Sequence, residues 1–146
     1  MITDIHGNLP ALEAALGRID ELGIPATYCG GDLVGYGPWP NEVCRLLADR
    51  GIPTIYGNYD YAIARDDEDC GCAYTDPHDR ELGERSIAWT LDHTDRASKD
   101  YMRGLPFDLR FDLAGKRVRL VHGSPRNVNE YLFEDKPYGD QLLIAA

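Results

Sequence analysis

Apolar positions along the first half of the chain change period several times. Leu9, Leu12, Leu16 and Ile19 recur three and four residues apart, the stripe of an amphipathic helix, with Asn8 placed to cap it and Pro10 in its first turn. Gly23 ends that helix, and Ala26 to Cys29 predicts a short buried strand. A second helix is expected to carry Val43, Leu46 and Leu47 before Gly51, and Pro53 to Tyr56 predicts a further strand. Met1 to Thr3 has the character of a strand stub running into Asp4. The first half therefore alternates strand and helix, the pattern of a mostly parallel sheet with right-handed crossovers.

The second half is different. Residues 66–80 are acidic and turn-rich, and are expected to form a solvated polar insertion. Helical segments follow over about 80–91 and 95–103, the second stopped by Gly104 and Pro106. Phe107, Leu109, Phe111 and Leu113 alternate with polar neighbours, as a half-buried strand requires. Ala114-Gly115-Lys116 then turns the chain into a strand over Arg117 to Val121, which delivers His122-Gly123-Ser124-Pro125. Residues 141–146 have the pattern of a last helix.

Composition narrows this α/β reading to one domain over residues 1–146, since 146 residues with 43% hydrophobic content suffice for one core. Acidic residues outnumber basic ones 25 to 15, a net charge of -10, which argues against a general nucleic-acid binder because that role needs a basic face. No run of roughly 18 apolar residues is present to span a bilayer, and no secretory leader pattern opens the chain. A cytoplasmic location is expected, and with it reduced thiols at Cys29, Cys44, Cys70 and Cys72. Cys70-Gly71-Cys72 is read as a turn in the polar insertion, without a second pair at zinc-ribbon spacing.

The chemistry gathers after the strands. Asp4-Ile5-His6-Gly7-Asn8, Gly30-Gly31-Asp32, Gly57-Asn58-Tyr59-Asp60 and His122-Gly123 each place oxygen or imidazole donors on a glycine-bearing turn. Ligands of open α/β sheets bind at that carboxyl edge. A carboxylate and a histidine two residues apart can approach one ion from the same turn, and the mixed donor set suits manganese, iron, zinc or nickel better than calcium. A second carboxylate between two ions can bridge them.

These four motifs, in this order, resemble those of the calcineurin-like metallophosphoesterase superfamily, in particular its small bacterial and archaeal phosphoesterases. Gly31-Asp32-Leu33-Val34-Gly35-Tyr36-Gly37-Pro38 resembles the family's stretch between its second and third motifs, and the likeness covers essentially the whole chain. It implies a sandwich of β-sheets flanked by helices. It also implies hydrolysis of a phosphomonoester or phosphodiester of a small molecule or nucleotide, by a water activated between two divalent ions, manganese first among them. By the same resemblance Asp4 and His6 hold the first ion, Asp32 bridges, and Asn58 and His122 hold the second. Asp60 orients ligands from behind, and Asn8 or Arg126 helps position phosphate.

The chain departs from the family pattern in two ways. Tyr59 stands where the superfamily's protein phosphatases carry a histidine able to protonate a leaving group, which favours activated esters, diesters or nucleotide-type leaving groups over phosphoserine. The final Gly-His-x-His motif is absent, no histidine follows His122, and little of a strand precedes Asp4. The expected fold is therefore incomplete, clipped at both ends, with exposed strand edges that favour self-association into a homo-oligomer. The alternative is a non-catalytic scaffold that keeps the fold and binds a protein partner. Tyr36, Trp39, Tyr56, Tyr59 and Tyr61 either line a substrate pocket or serve packing.

Overall fold

The computed structural model describes residues 1–132. The helix expected over 141–146 lies outside the described residues. Five helices and one hairpin are built in the order α1 (Leu9–Glu21), α2 (Pro40–Asp49), α3 (Asn58–Ala64), α4 (Pro77–His93), α5 (Arg96–Arg103), β1 (Asp108–Leu113) and β2 (Lys116–Val121).

Each helix starts where its sequence supplies a cap or a pre-set φ. Asn8 accepts from the Ala11 N–H at the head of α1, and Asp95 accepts from Ser98 at the head of α5. Asp76 accepts from the backbone of His78 and Asp79, with Pro77 as the first helical residue. That cap moves the start of α4 ahead of the expected position near residue 80. The shortest helix, α3, carries no amphipathic signal in the sequence. Asn58, Tyr59, Asp60, Ala62, Ile63 and Ala64 are all buried, so no polar face marks its period.

The three short strands expected in the first half are reduced to single parallel bridges, Ile2 with Cys29 and Cys29 with Thr54. Their order is nonetheless that of a parallel sheet. Ile2 donates to the Tyr28 carbonyl, Gly30 to Ile2, Cys29 to Pro53 and Ile55 to Cys29. Each ladder stops early because the chain leaves it in a left-handed turn, at Asp4 (φ 53°) on the first segment and at Gly31 (φ 94°) and Asp32 (φ 53°) on the second. Tyr56 donates to the Pro106 carbonyl, which joins the antiparallel β1–β2 hairpin to this edge. Phe111 faces Val118 and Leu109 faces Leu120 in the hairpin register. Tyr28 stacks on Phe111 across the join, with ring centroids 4.1 Å apart.

The core lies between these segments and the helices. Leu12 and Leu16 of α1, Val43 and Leu47 of α2 and Ile63 of α3 are buried around Cys29, Leu33 and Val34. Each such side chain contributes about 1.5–3 kcal/mol by leaving water. The cysteines require a correction: Cys70 and Cys72 are joined by a disulfide, not reduced. Gly71 between them takes a left-handed φ of 65°, and the bend brings the two Cα atoms to 5.4 Å. Cys29 and Cys44 are free and buried, and burial pushes the Cys29 thiol up to about 12.

Candidate metal centre

The parallel segments end side by side, and their turns bring the predicted motifs together. Three of the predicted ligands sit in the left-handed region: Asp4 at φ 53°, His6 at 48° and Asp32 at 53°. That conformation is uncommon for residues with a Cβ, and such strain concentrates at functional sites. Two glycines make the close approach available. A Cβ on Gly57 would lie 2.0 Å from Asp32 Oδ1, and one on Gly31 would lie 2.5 Å from the Gly57 nitrogen. Without side chains there, Asp32 Oδ1 accepts from the Tyr59 N–H at 3.0 Å.

Asp32 Oδ2 then faces two imidazoles, 3.6 Å from His6 Nε2 and 3.4 Å from His122 Nε2. Both rings are fixed from behind. His6 Nδ1 lies 3.0 Å from the Val34 carbonyl, and His122 Nδ1 lies 2.8 Å from the Gly30 carbonyl. A carbonyl only accepts, so each Nδ1 carries a proton and Nε2 is the ring atom turned toward Asp32. Asn58 donates from Nδ2 to the Cys70 carbonyl, which orients its Oδ1 toward His122 Nε2 at 3.2 Å. Asp4 completes the group, since single ligand atoms of Asp4, Asp32 and His122 all lie within 4.8 Å of one another.

The donor set is thus composed of acceptors that face each other: carboxylate oxygens, an amide oxygen and imidazole lone pairs. Such an arrangement is repulsive unless a cation or a proton lies among them. The residues therefore fit a divalent metal. In the metal-free chain a proton does the same work. Burial pulls the His122 pKa down, but the hydrogen bond and charge of Asp32 outweigh it and raise the imidazole to about 9.

The remaining predicted residues separate. Asp60 is fully buried and does not line the metal pocket. Its Oδ1 accepts from Leu33 at 2.8 Å and Val34 at 3.4 Å, and its Oδ2 accepts from Gly57 at 2.8 Å. It thereby ties the Asp32 turn to the Asn58 turn. Burial and the nearby Asp32 charge push its carboxyl up, against the pull of those three N–H groups. Asn8 is exposed and occupied as the α1 cap. Arg126 is ion-paired with Glu130 and borders an adjoining cavity instead of the metal pocket.

The metal pocket has a volume of about 280 Å³. Tyr36 and Tyr59 line it, each edge-on to the His6 ring at centroid distances of 4.7 and 5.2 Å. Tyr56 and Tyr61 belong to the adjoining cavity. Sequence reasoning missed Tyr74, whose hydroxyl bonds the Tyr36 hydroxyl and lies 3.1 Å from that of Tyr59. It also missed Cys72, Ala73 and Tyr131 in the same wall. The segment read as a solvated insertion therefore folds back against the metal site. Its polar composition carries no signal of that return.

A family model described as calcineurin-like phosphoesterase matches residues 1–145. An uncharacterized protein of Methanocaldococcus jannaschii is 33% identical over 151 residues, covering 99% of this chain and 59% of its own length. The crystal structure of a hypothetical protein from Pyrococcus horikoshii is similar with a TM-score of 0.75 and 29% identity, over 98% of this chain and 62% of that one. A metallophosphoesterase from Sphaerobacter thermophilus gives a TM-score of 0.62 and 32% identity, over 90% of this chain and 48% of that one. The chain spans about three fifths of the length of the first two of these relatives. Its mixture of helices and a small sheet is that of the metallophosphoesterase structures it resembles. No helix among the described residues is long and apolar enough to cross a membrane.

Proposed function

The chain belongs to the calcineurin-like phosphoesterase family, and we propose that it hydrolyses a phosphomonoester or phosphodiester of a small molecule or nucleotide in the pocket at Asp32. Asp4 and His6 would hold one divalent ion, Asn58 and His122 a second, with Asp32 shared between them. Manganese is the first choice for this mixed oxygen and imidazole set. Two such ions, when bound, supply positive charge for the phosphoryl oxygens and a water whose pKa falls toward neutrality. The chain's own groups do the rest. Asp32 Oδ1 is held by the Tyr59 N–H, so Oδ2 is the oxygen left to serve both sides. The Val34 and Gly30 carbonyls keep both rings in the one tautomer that exposes Nε2. Tyr36 lines the same pocket with its hydroxyl bonded to that of Tyr74, a polar group within the space a phosphoryl group would enter.

The observation that supports this reading is the convergence of acceptors on one point, with Asp32 Oδ2 between two anchored imidazoles. The test is equilibrium dialysis against Mn²⁺ beside hydrolysis of bis(p-nitrophenyl) phosphate, for the chain and for Asp32→Ala. Two ions and measurable turnover, both lost on substitution, are expected. A folded chain that takes up no Mn²⁺ would leave the scaffold alternative in its place.

A further inference from the structure

A second cavity, of about 620 Å³, shares Asn58 with the metal pocket. Its size is within the range that small ligands occupy. Three aromatic rings line it. Tyr56 lies 5.5 Å from Tyr61 and 6.0 Å from Phe107, and both pairs are tilted by about half a right angle, 45° and 54°. Tilted pairs do not cover each other's faces, so aromatic surface remains open inside the cavity, and Tyr61 is 40% exposed. The Arg65 guanidinium sits over the Tyr61 ring, 3.6 Å from its centre, and covers one face, so the opposite face is the one left for a ligand.

The polar lining carries two carboxylates and one guanidinium, that of Arg126, whose charge is already paired with Glu130. Asp67 and Asp69 enter from the segment that folds back over the metal site, and Asn129 comes from the chain after His122. Asp67 and Asp69 each use Oδ1 to accept a backbone N–H, from Asp69 and Gly71. Carboxylates and amides beside open rings suit a planar ligand that carries amino and hydroxyl donors. They repel additional phosphates.

We propose that this cavity seats a nucleoside, so that the substrate is a nucleoside monophosphate ester whose base lies against Tyr61, Tyr56 and Phe107 while its phosphate reaches the metal pocket past Asn58. The assignment as substrate rests on the hydrolytic reading above; the assignment as a nucleoside site does not. Stacking carries the affinity, and the Asp67 and Asp69 carboxylates select an uncharged ligand over one with a polyphosphate tail. The acidic insertion is then a specificity wall.

The test separates the two readings. Adenosine and ribose are titrated calorimetrically into the chain, Tyr61→Leu and Asp32→Ala, and each fold is checked by circular dichroism. Hydrolysis of adenosine 5′-monophosphate and ribose 5-phosphate is followed with Mn²⁺. Adenosine should bind and ribose should not. Tyr61→Leu, which keeps apolar bulk without a ring, should weaken adenosine about tenfold. Asp32→Ala should leave it unchanged, and the adenosine ester should be cleaved with a kcat/KM about tenfold above that of the ribose ester. Asn129→Ala serves as the second variant if Tyr61→Leu does not fold. Adenosine that fails to bind, or binds both cavity variants as well as the parent, overturns the nucleoside site whatever the hydrolysis shows. Binding with the expected sensitivities but no turnover of either ester leaves the nucleoside site standing and removes the hydrolytic reading.

Discussion

The two cavities that meet at Asn58 are built on opposite principles. In the metal pocket nearly every donor is held from behind by backbone. Carbonyls anchor both imidazoles, an N–H fixes Asp32 Oδ1, and buried Asp60 spans the two turns. In the adjoining cavity Tyr61, Asp67, Asp69 and Arg126 are exposed side chains, beside the half-buried rings of Tyr56 and Phe107. Donor geometry that must be kept within a fraction of an ångström needs the first construction. A surface that selects among ligands tolerates the second. The difference teaches where substitution should be felt: severely and at a distance in the metal pocket, locally and mildly in its neighbour.

The sharpest way to break the comparison is Asp32→Ala, which removes the oxygen shared by His6 and His122. Phosphoesterase activity should fall at least about a hundredfold, more than the loss usual for groups behind a metal ligand, in an assay on bis(p-nitrophenyl) phosphate. Gly57→Ala probes the same pocket through the backbone. Its Cβ would lie 2.0 Å from Asp32 Oδ1, so the turn must shift, at a cost of about 1–3 kcal/mol read by denaturant melts. An unchanged midpoint would show the turn to be as compliant as the neighbouring cavity.

The pH dependence has a definite sign. In the metal-free chain His122 titrates at about 9, above its ordinary 6.5, so its share of stability is complete below pH 6.5 and is lost as pH rises toward 9. Mn²⁺ must displace that proton, so its affinity should rise by up to about tenfold per pH unit across the same window and level off above it. The smallest expected effect belongs to the second cavity. Asp67→Asn should change Mn²⁺ uptake by less than about twofold, because an exposed carboxylate outside the cluster is screened by solvent, and dialysis checks it.

Much of the site is legible in the residues alone. Asn8 announced α1, and Asp4, His6, Asp32, Asn58 and His122 were nominated by their turns. Other features were not legible, for physical reasons. α3 is buried on all sides and lacks an amphipathic period. The parallel strands shrank to bridges because Asp4 and Asp32 leave in left-handed turns, and a φ value is not written in residue type when the residue is not glycine. Asp60 is expected behind the ligands, but two of its three backbone bonds come from Val34 and Leu33, 26 and 27 positions away, and only the Gly57 bond is local. Arg126 offers a guanidinium suited to phosphate by residue type alone, and only the fold shows Glu130 already paired with it.

The division follows from the range of the interactions. Local chemistry determined by itself which side chains are donors, which turns need glycine, and where helices can start, because those depend on neighbours within a few residues. Tertiary structure decided which donors share one point, that Cys70 and Cys72 are bonded, and that the acidic segment walls two cavities instead of standing in solvent. Those outcomes depend on contacts between segments far apart in the chain, such as Gly30 with His122, and no local pattern carries them.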